Sequence, residues 1–165
     1  MTGLLGIDLG ERRIGVAIAD GADVGARPLV TLRRARSIDS DVIALEELIA
    51  RHAIDELVVG LPIDAAGHES AQAASTREWV YAVGARLGGR VVIALRDERL
   101  TSHLAETRLG PMPRGRSGGP PTRHQRDAYR ARVDREAAAI ILQDELDSRR
   151  SSRSAPSPAT METRR

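Results

Sequence analysis

The chain has no cysteine, which excludes disulfides and thiolate metal sites. It has no phenylalanine, one tryptophan and two tyrosines, so aromatics make up 2% of its 165 residues. A protein that reads nucleic acid by stacking bases on a row of rings is thereby excluded, and the core must be built from Ala, Val, Ile and Leu. Lysine and asparagine are also missing, and all 25 basic residues are arginine, which reads as compositional bias of the source genome. No apolar run approaches the roughly 20 residues that span a bilayer, and the first residues lack the basic start and apolar run of a signal peptide. A cytoplasmic protein with no membrane partner is the resulting expectation.

Apolar residues, at 41% of the chain, suffice for one domain with a true core. That domain is expected over residues 1–149, followed by a disordered Ser/Arg/Pro tail over 150–165. Net charge is only +2, but it is unevenly spread. Between Arg108 and Arg135 eight arginines face Asp127 and Asp134, a local net of +6 that leaves −4 on the rest. Such a stripe is an electrostatic footprint for polyanions, where a solvated loop would be the plain alternative.

Apolar runs at 3–9 and 13–19, separated by Gly10-Glu11-Arg12, predict two strands joined by a tight turn. A third strand is expected at Leu29 to Arg33. Val42, Leu45, Leu48 and Ile49 recur at helical spacing within Ser40 to Ala53, with Asp39 or Ser40 as cap. Glu56 to Leu61 reads as a strand closed by Pro62. A helix from about Glu69 to Leu87, with Ala73, Thr76, Val80, Val83 and Leu87 on one face, ends at Gly88-Gly89. The strand Val91 to Arg96 precedes Asp97-Glu98, and a short helix reaches Arg108. Residues 110–126 hold Gly and Pro among arginines and read as a long mobile loop, and a last helix is expected from Ala131 to Asp147. This order implies an α/β fold with a mixed five-stranded sheet, a three-strand antiparallel meander followed by parallel strands, flanked by helices. Ligands then belong at the carboxyl ends of the parallel strands.

Asp8 is the anomaly in this pattern: it interrupts an otherwise apolar strand, and a buried carboxylate is normally paired, protonated or bound to a metal. Asp97 and Glu98 follow the last strand. Asp134 shares a helix face with Ala138, Ile141 and Leu142, directed at the sheet. Taken singly, Asp134 would pass as a helix cap and Asp97 and Glu98 as exposed turn residues. Three segments that each aim an acid at one interior would repel one another, and a divalent cation is the natural remedy. Oxygen ligands without His or Cys favour Mg²⁺ or Mn²⁺. Of two such ions, one would activate water and the other would stabilise the leaving oxygen of a phosphodiester.

Gly-Ile-Asp-Leu-Gly with Arg-Ile-Gly-Val-Ala at 6–17, Val-Gly-Leu-Pro at 59–62, Asp-Glu-Arg-Leu-Thr-Ser at 97–102 and Val-Asp-Arg-Glu-Ala-Ala-Ala-Ile-Ile-Leu-Gln at 133–143 resemble the YqgF/RuvX family. The family has a ribonuclease H-like fold and is regarded either as the nuclease that matures the 5′ end of pre-16S ribosomal RNA or as a Holliday junction resolvase. The resemblance implies metal-dependent phosphodiester hydrolysis, with Asp8, Glu98 and Asp134 as catalytic, metal-holding acids and Asp97 as an auxiliary. It also implies that Arg12, Arg13 and Arg99 contact the scissile strand. Arg114, Arg116, Arg123, Arg126, Arg130 and Arg132 would then hold flanking phosphates, a task suited to the arginine fork. Residues 110–132 are richer in Gly, Pro and Arg than the family pattern.

The expected partner is nucleic acid, either precursor ribosomal RNA or, for a homodimer nicking two symmetric strands, branched DNA. A non-catalytic module of ribosome assembly or of the transcription machinery is the alternative from another class, distinguished by salt-dependent RNA binding without cleavage. A nucleotide-binding module of the actin-like kind, which Ile-Asp-Leu-Gly also resembles, needs a second such domain for which 165 residues leave no room.

Overall fold

Residues 3–19 build the centre of the molecule because they are apolar on both faces, as strands covered by helices on both sides must be. The computed structural model describes residues 3–21, 23–34, 36–63, 66–98, 101–115 and 117–154. β1 (Gly3–Leu9), β2 (Arg13–Ala19) and β3 (Arg27–Arg33) form an antiparallel meander. β4 (Ile54–Pro62) and β5 (Val92–Glu98) add to β1 in parallel, giving the order β3-β2-β1-β4-β5. The mixed five-stranded sheet expected from the sequence is the one observed.

Alternation along the strands sends large side chains one way and small ones the other. Leu5, Ile7, Leu9, Ile14, Val16, Ile18, Leu57 and Val59 pack beneath α1 (Ile38–His52) and α2 (Ala71–Leu87), against Leu45, Trp79, Val83 and Leu87. On the opposite face Leu4, Ala17, Ala19 and Val58 meet Ala138, Ala139, Ile141, Leu142 and Leu146 of α4 (Arg123–Ser154). Glycine brings α4 very close. A Cβ on Gly15 would lie 2.0 Å from the Asp134 carbonyl oxygen, and one on Gly6 would lie 2.5 Å from that of Ala138. α3 (Thr101–Leu109) packs through Ala105 against Tyr129, Val133 and Ala137 of α4.

Several boundaries differ from the sequence expectation. α1 is capped by Ser37, whose hydroxyl accepts from the Ser40 amide, rather than by Asp39 or Ser40. In α2, capped by Ser70, the fully buried residue beside Thr76 is Trp79, with Val80 only half-buried. β3 starts at Arg27, since an edge strand tolerates Pro28. β5 includes Asp97 and Glu98.

The largest difference concerns α4. Thr122 and Gln125 form a reciprocal capping box: the Gln125 amide donates to Thr122 Oγ1 at 3.2 Å, and the Thr122 amide donates to Gln125 Oε1 at 2.8 Å. The helix therefore begins at Arg123, inside the segment expected to be loop, and Asp134 lies mid-helix, not at a cap. It also runs to Ser154, because Arg149 ties its far end to Glu56, so residues 150–154 are helix and not tail. Residues 155–165 lie outside the described residues, as do Arg99 and Arg116. Between the helices the segment is tied down by Tyr129 Oη donating to the Gly110 carbonyl at 2.7 Å and by Gly115–Gly119 backbone bonds. Among the described residues no helix is long and apolar enough to cross a membrane.

Candidate active site

Asp8 sits on the small-residue face, two residues beyond Gly6 and opposite Gly15 in register. On that face α4 lays its own Asp134 directly over Gly15. Glu98, the last residue of β5, pairs in register with Pro62, and its Oε2 would lie 2.5 Å from a Cβ on Gly60. The missing side chain at Gly15 thus lets the α4 backbone at Asp134 reach the sheet, and the one at Gly60 leaves room for the Glu98 carboxylate, so that acids from β1, β5 and α4 lie near one another.

None of this space is neutralised at Asp8 or Glu98. Neither carboxylate has a hydrogen-bond or ion-pair partner among the described residues. Burial first, then the charges of Glu98 and Asp134, push the Asp8 carboxyl up to about 8. Burial pushes Glu98 up to about 7. Asp134 differs, because Arg13 Nε donates to its Oδ2 at 2.5 Å, with both side chains about one quarter exposed. Buried Asp41, which the sequence reading did not single out, shows what a structural acid looks like here. Its carboxylate accepts from Trp79 Nε1 at 3.1 Å and lies 4.0 Å from Arg34 Nε.

The other sequence candidates divide sharply. Asp97 is exposed and, one residue from Glu98 in a strand, faces the opposite side, so it does not join the cluster. Arg12, Arg13 and Arg130 line a cleft with Asp134, and Arg12, Arg13 and Arg123 line the next one. Arg114 and Arg126 line neither cleft. The Arg114 carbonyl accepts from Gln125, and Arg126 Nη1 donates to the Pro121 carbonyl at 2.7 Å. Arg132, two residues before Asp134, points about 160° away around the helix.

Arg33 and Arg36, missed by the sequence reading, line a third cleft with Arg12. The Arg-Arg-Ala-Arg run at 33–36 was the available signal.

The donor set is chemically suited to a hard divalent cation: oxygen only, with no His or Cys at the site. In the arrangement described, no group of three such side chains stands close enough to hold an ion among the described residues, with Asp134 drawn to Arg13.

A three-strand antiparallel meander extended by two parallel strands, with helices on both faces, is a ribonuclease H-like fold. The solved structure of T. thermophilus RuvC in complex with a Holliday junction substrate has this fold: it superposes with a TM-score of 0.52 at 14% identity, covering 92% of this chain and 98% of that one. Closer relatives give the family. The chain belongs to the family described as RuvX: Holliday junction resolvase, whose model matches residues 2–148.

Curated relatives agree over nearly their full lengths. A protein of Chloroflexus aggregans is 38% identical over 89% of this chain and 94% of its own, and one of Anaeromyxobacter dehalogenans is 41% identical over 88% and 96%. One of Nocardioides sp. is 37% identical over 96% of each. All three carry the name "Putative pre-16S rRNA nuclease".

Proposed function

We propose that this protein is an endonuclease that hydrolyses phosphodiester bonds with the help of Mg²⁺ or Mn²⁺, and that its substrate is the 5′ region of precursor 16S ribosomal RNA. The observation that carries this reading is the convergence of Asp8, Glu98 and Asp134 from three distant segments, two of them without a counter-charge among the described residues. Asp8, Glu98 and Asp134 would hold the ion. When bound, it supplies an activated water and charge neutralisation at the leaving oxygen.

The chain's own residues do the rest. Before the ion arrives, protons on Asp8 and Glu98 relieve their repulsion, and both must leave for the carboxylates to act as ligands. Arg13 keeps Asp134 turned toward the sheet and presents its remaining donors to the cleft, where a fork suits a phosphate. Arg12 and Arg130 flank the same cleft. No element positioned to read base edges is evident among the described residues, so shape and backbone recognition fits best.

The experiment is cleavage of precursor ribosomal RNA and of a four-way DNA junction, side by side, by wild type and Asp8→Asn, with Mg²⁺, with Mn²⁺ and with neither. Wild type is expected to cut the RNA only with metal, and Asp8→Asn to cut at least about 1,000-fold more slowly, roughly 4 kcal/mol of barrier, while still binding. Undiminished cleavage by Asp8→Asn would refute the site. The family description favours the junction as a second substrate, and preferential cutting of that DNA would move the assignment there. Binding without cleavage under any metal would make the protein an assembly module.

A further inference from the structure

Five arginines far from the acids are answered by carboxylates. Arg27, Arg51, Arg77, Arg86 and Arg90 each reach one, on Asp20, Glu47, Glu69, Asp39 and Glu46 respectively. At the end of the β2–β3 hairpin the pattern breaks. Arg12, Arg33 and Arg36 are exposed, line one cleft and have no ion-pair partner among the described residues.

Arg33 is moreover the register partner of Arg13, so two guanidinium groups face each other across neighbouring strands, an unfavourable arrangement for like charges. Asp134 answers Arg13, and no carboxylate among the described residues answers Arg33. Arg34, between them, is different in kind: its Nη1 donates to the Gly10 carbonyl at 2.9 Å and its Nε approaches buried Asp41, so it braces the turn. The acids facing this surface are Glu11, and Asp127, which lies 3.9 Å from Arg123 Nε.

We infer that Arg12, Arg33 and Arg36, continued by Arg123 at the start of α4, form a track for the sugar-phosphate backbone of a polynucleotide where it leaves the acid cluster. The inference deepens the nuclease reading and rests on its nucleic-acid substrate. Compositional bias supplies arginine everywhere in this chain, and Arg114, Arg126, Arg130, Arg132 and Arg135 also have no carboxylate partner among the described residues; what sets Arg12, Arg33 and Arg36 apart is that they line one cleft, and that Arg12 also lines the cleft of Asp134. A run of phosphates is the partner that satisfies several unpaired forks in a row without reading sequence. The track takes in Arg33 and Arg36 on the β3 side of the acids, so it extends the substrate path where the sequence pattern did not place it.

The test separates gripping from cutting. Binding of fluorescein-labelled oligouridine RNA, and of the corresponding oligothymidine DNA, is followed by anisotropy in EDTA between 50 and 200 mM salt. Wild type is compared with the triple variant Arg12→Gln/Arg33→Gln/Arg36→Gln and with the control Arg77→Gln/Arg86→Gln/Arg90→Gln, which removes equal charge from the α2 side.

Three lost contacts at about 0.7 counterions each should flatten the log–log salt slope by about 2, so that wild-type affinity falls about 20-fold more than the hairpin variant's across that range. The control should keep the wild-type slope, and RNA and DNA should behave alike. An unchanged slope in the hairpin variant, an equal loss in the control, or no binding by wild type would overturn the track. If the triple variant melts early, Arg33→Gln alone should still flatten the slope by about 0.7. A flattened slope in a protein that cuts nothing would leave the track standing and remove the nuclease, whereas metal-dependent cutting with an unchanged slope would do the reverse.

Discussion

The two ends of the contact between α4 and the sheet hold the same kind of group in opposite states. Toward the start of β4, Glu56 and Glu145 are pressed between helix and sheet, and Arg149 answers both, donating through Nη1 to Glu56 at 2.9 Å and through Nε to Glu145 at 2.7 Å, with Arg96 adding a further contact to Glu145. Toward the end of β1, Asp8 and Glu98 face Asp134, and the arginine paired there, Arg13, serves Asp134. A fold that pairs its acids with arginine at one end has left two of them without such a partner among the described residues at the other. The difference marks the second end as the place where an external charge is expected.

The comparison breaks most severely through Gly15. Replacing it by alanine puts a methyl group 2.0 Å from the Asp134 carbonyl oxygen and 2.3 Å from its carbon, so the α4 backbone must lift from the sheet. Gly15→Ala should cost about 3 kcal/mol in urea unfolding, at the upper end for overpacking, and should slow cleavage further by displacing Asp134. Retention of wild-type stability would mean that α4 is not held against β2 as described.

A smaller effect sharpens it through pH. In the folded protein the carboxyls of Asp8 and Glu98 titrate at about 8 and about 7, against ordinary values of 3.8 and 4.5. The folded state therefore keeps protons that the unfolded chain gives up. Its stability from this source is full below about pH 4 and is lost as pH rises through 7 and 8. Metal-free protein should lose stability across that window, and Asp8→Asn should flatten the curve and gain on the order of 2 kcal/mol near pH 8, after allowance for the carboxyl's contact with solvent. Thermal melts in EDTA at stepped pH decide it, and a stability that rises with pH would contradict the arrangement.

The least effect is expected at the satisfied end. Arg149→Gln leaves Glu56 and Glu145 able to reach water, and should lower stability by about 1 kcal/mol with cleavage unchanged per folded molecule. A loss of cleavage as large as that of Asp8→Asn would erase the distinction between the two ends.

Most of this architecture was legible in the chain because aliphatic runs of strand length and helical stripes such as Val42, Leu45 and Leu48 report burial directly. Asp8 was legible as an interruption of an apolar strand, Asp134 by its place on the apolar face of the last helix, and Glu98 through the Asp-Glu-Arg-Leu-Thr-Ser motif. The first turns of α4 were not, since residues 123–128 carry no apolar period and only the Thr122–Gln125 pair announces the helix start. Nor was the division of Asp97 from Glu98, which depends on β5 continuing through both, or the grouping of Arg33 and Arg36 with Arg12, which exists only once β3 folds back beside β2.

The capping box at Thr122 and Gln125 also fixes a length. From Arg123 to Asp134 the helix climbs eleven residues, about 16 Å, close to five phosphate spacings of a stacked strand. On the proposed function α4 is thus a ruler, with a grip at one mark and the point of scission at the other. Removing a single residue between them would shorten it by only about 1.5 Å but swing Arg123 through about 100°, and the enzyme would lose its measure before it lost its fold.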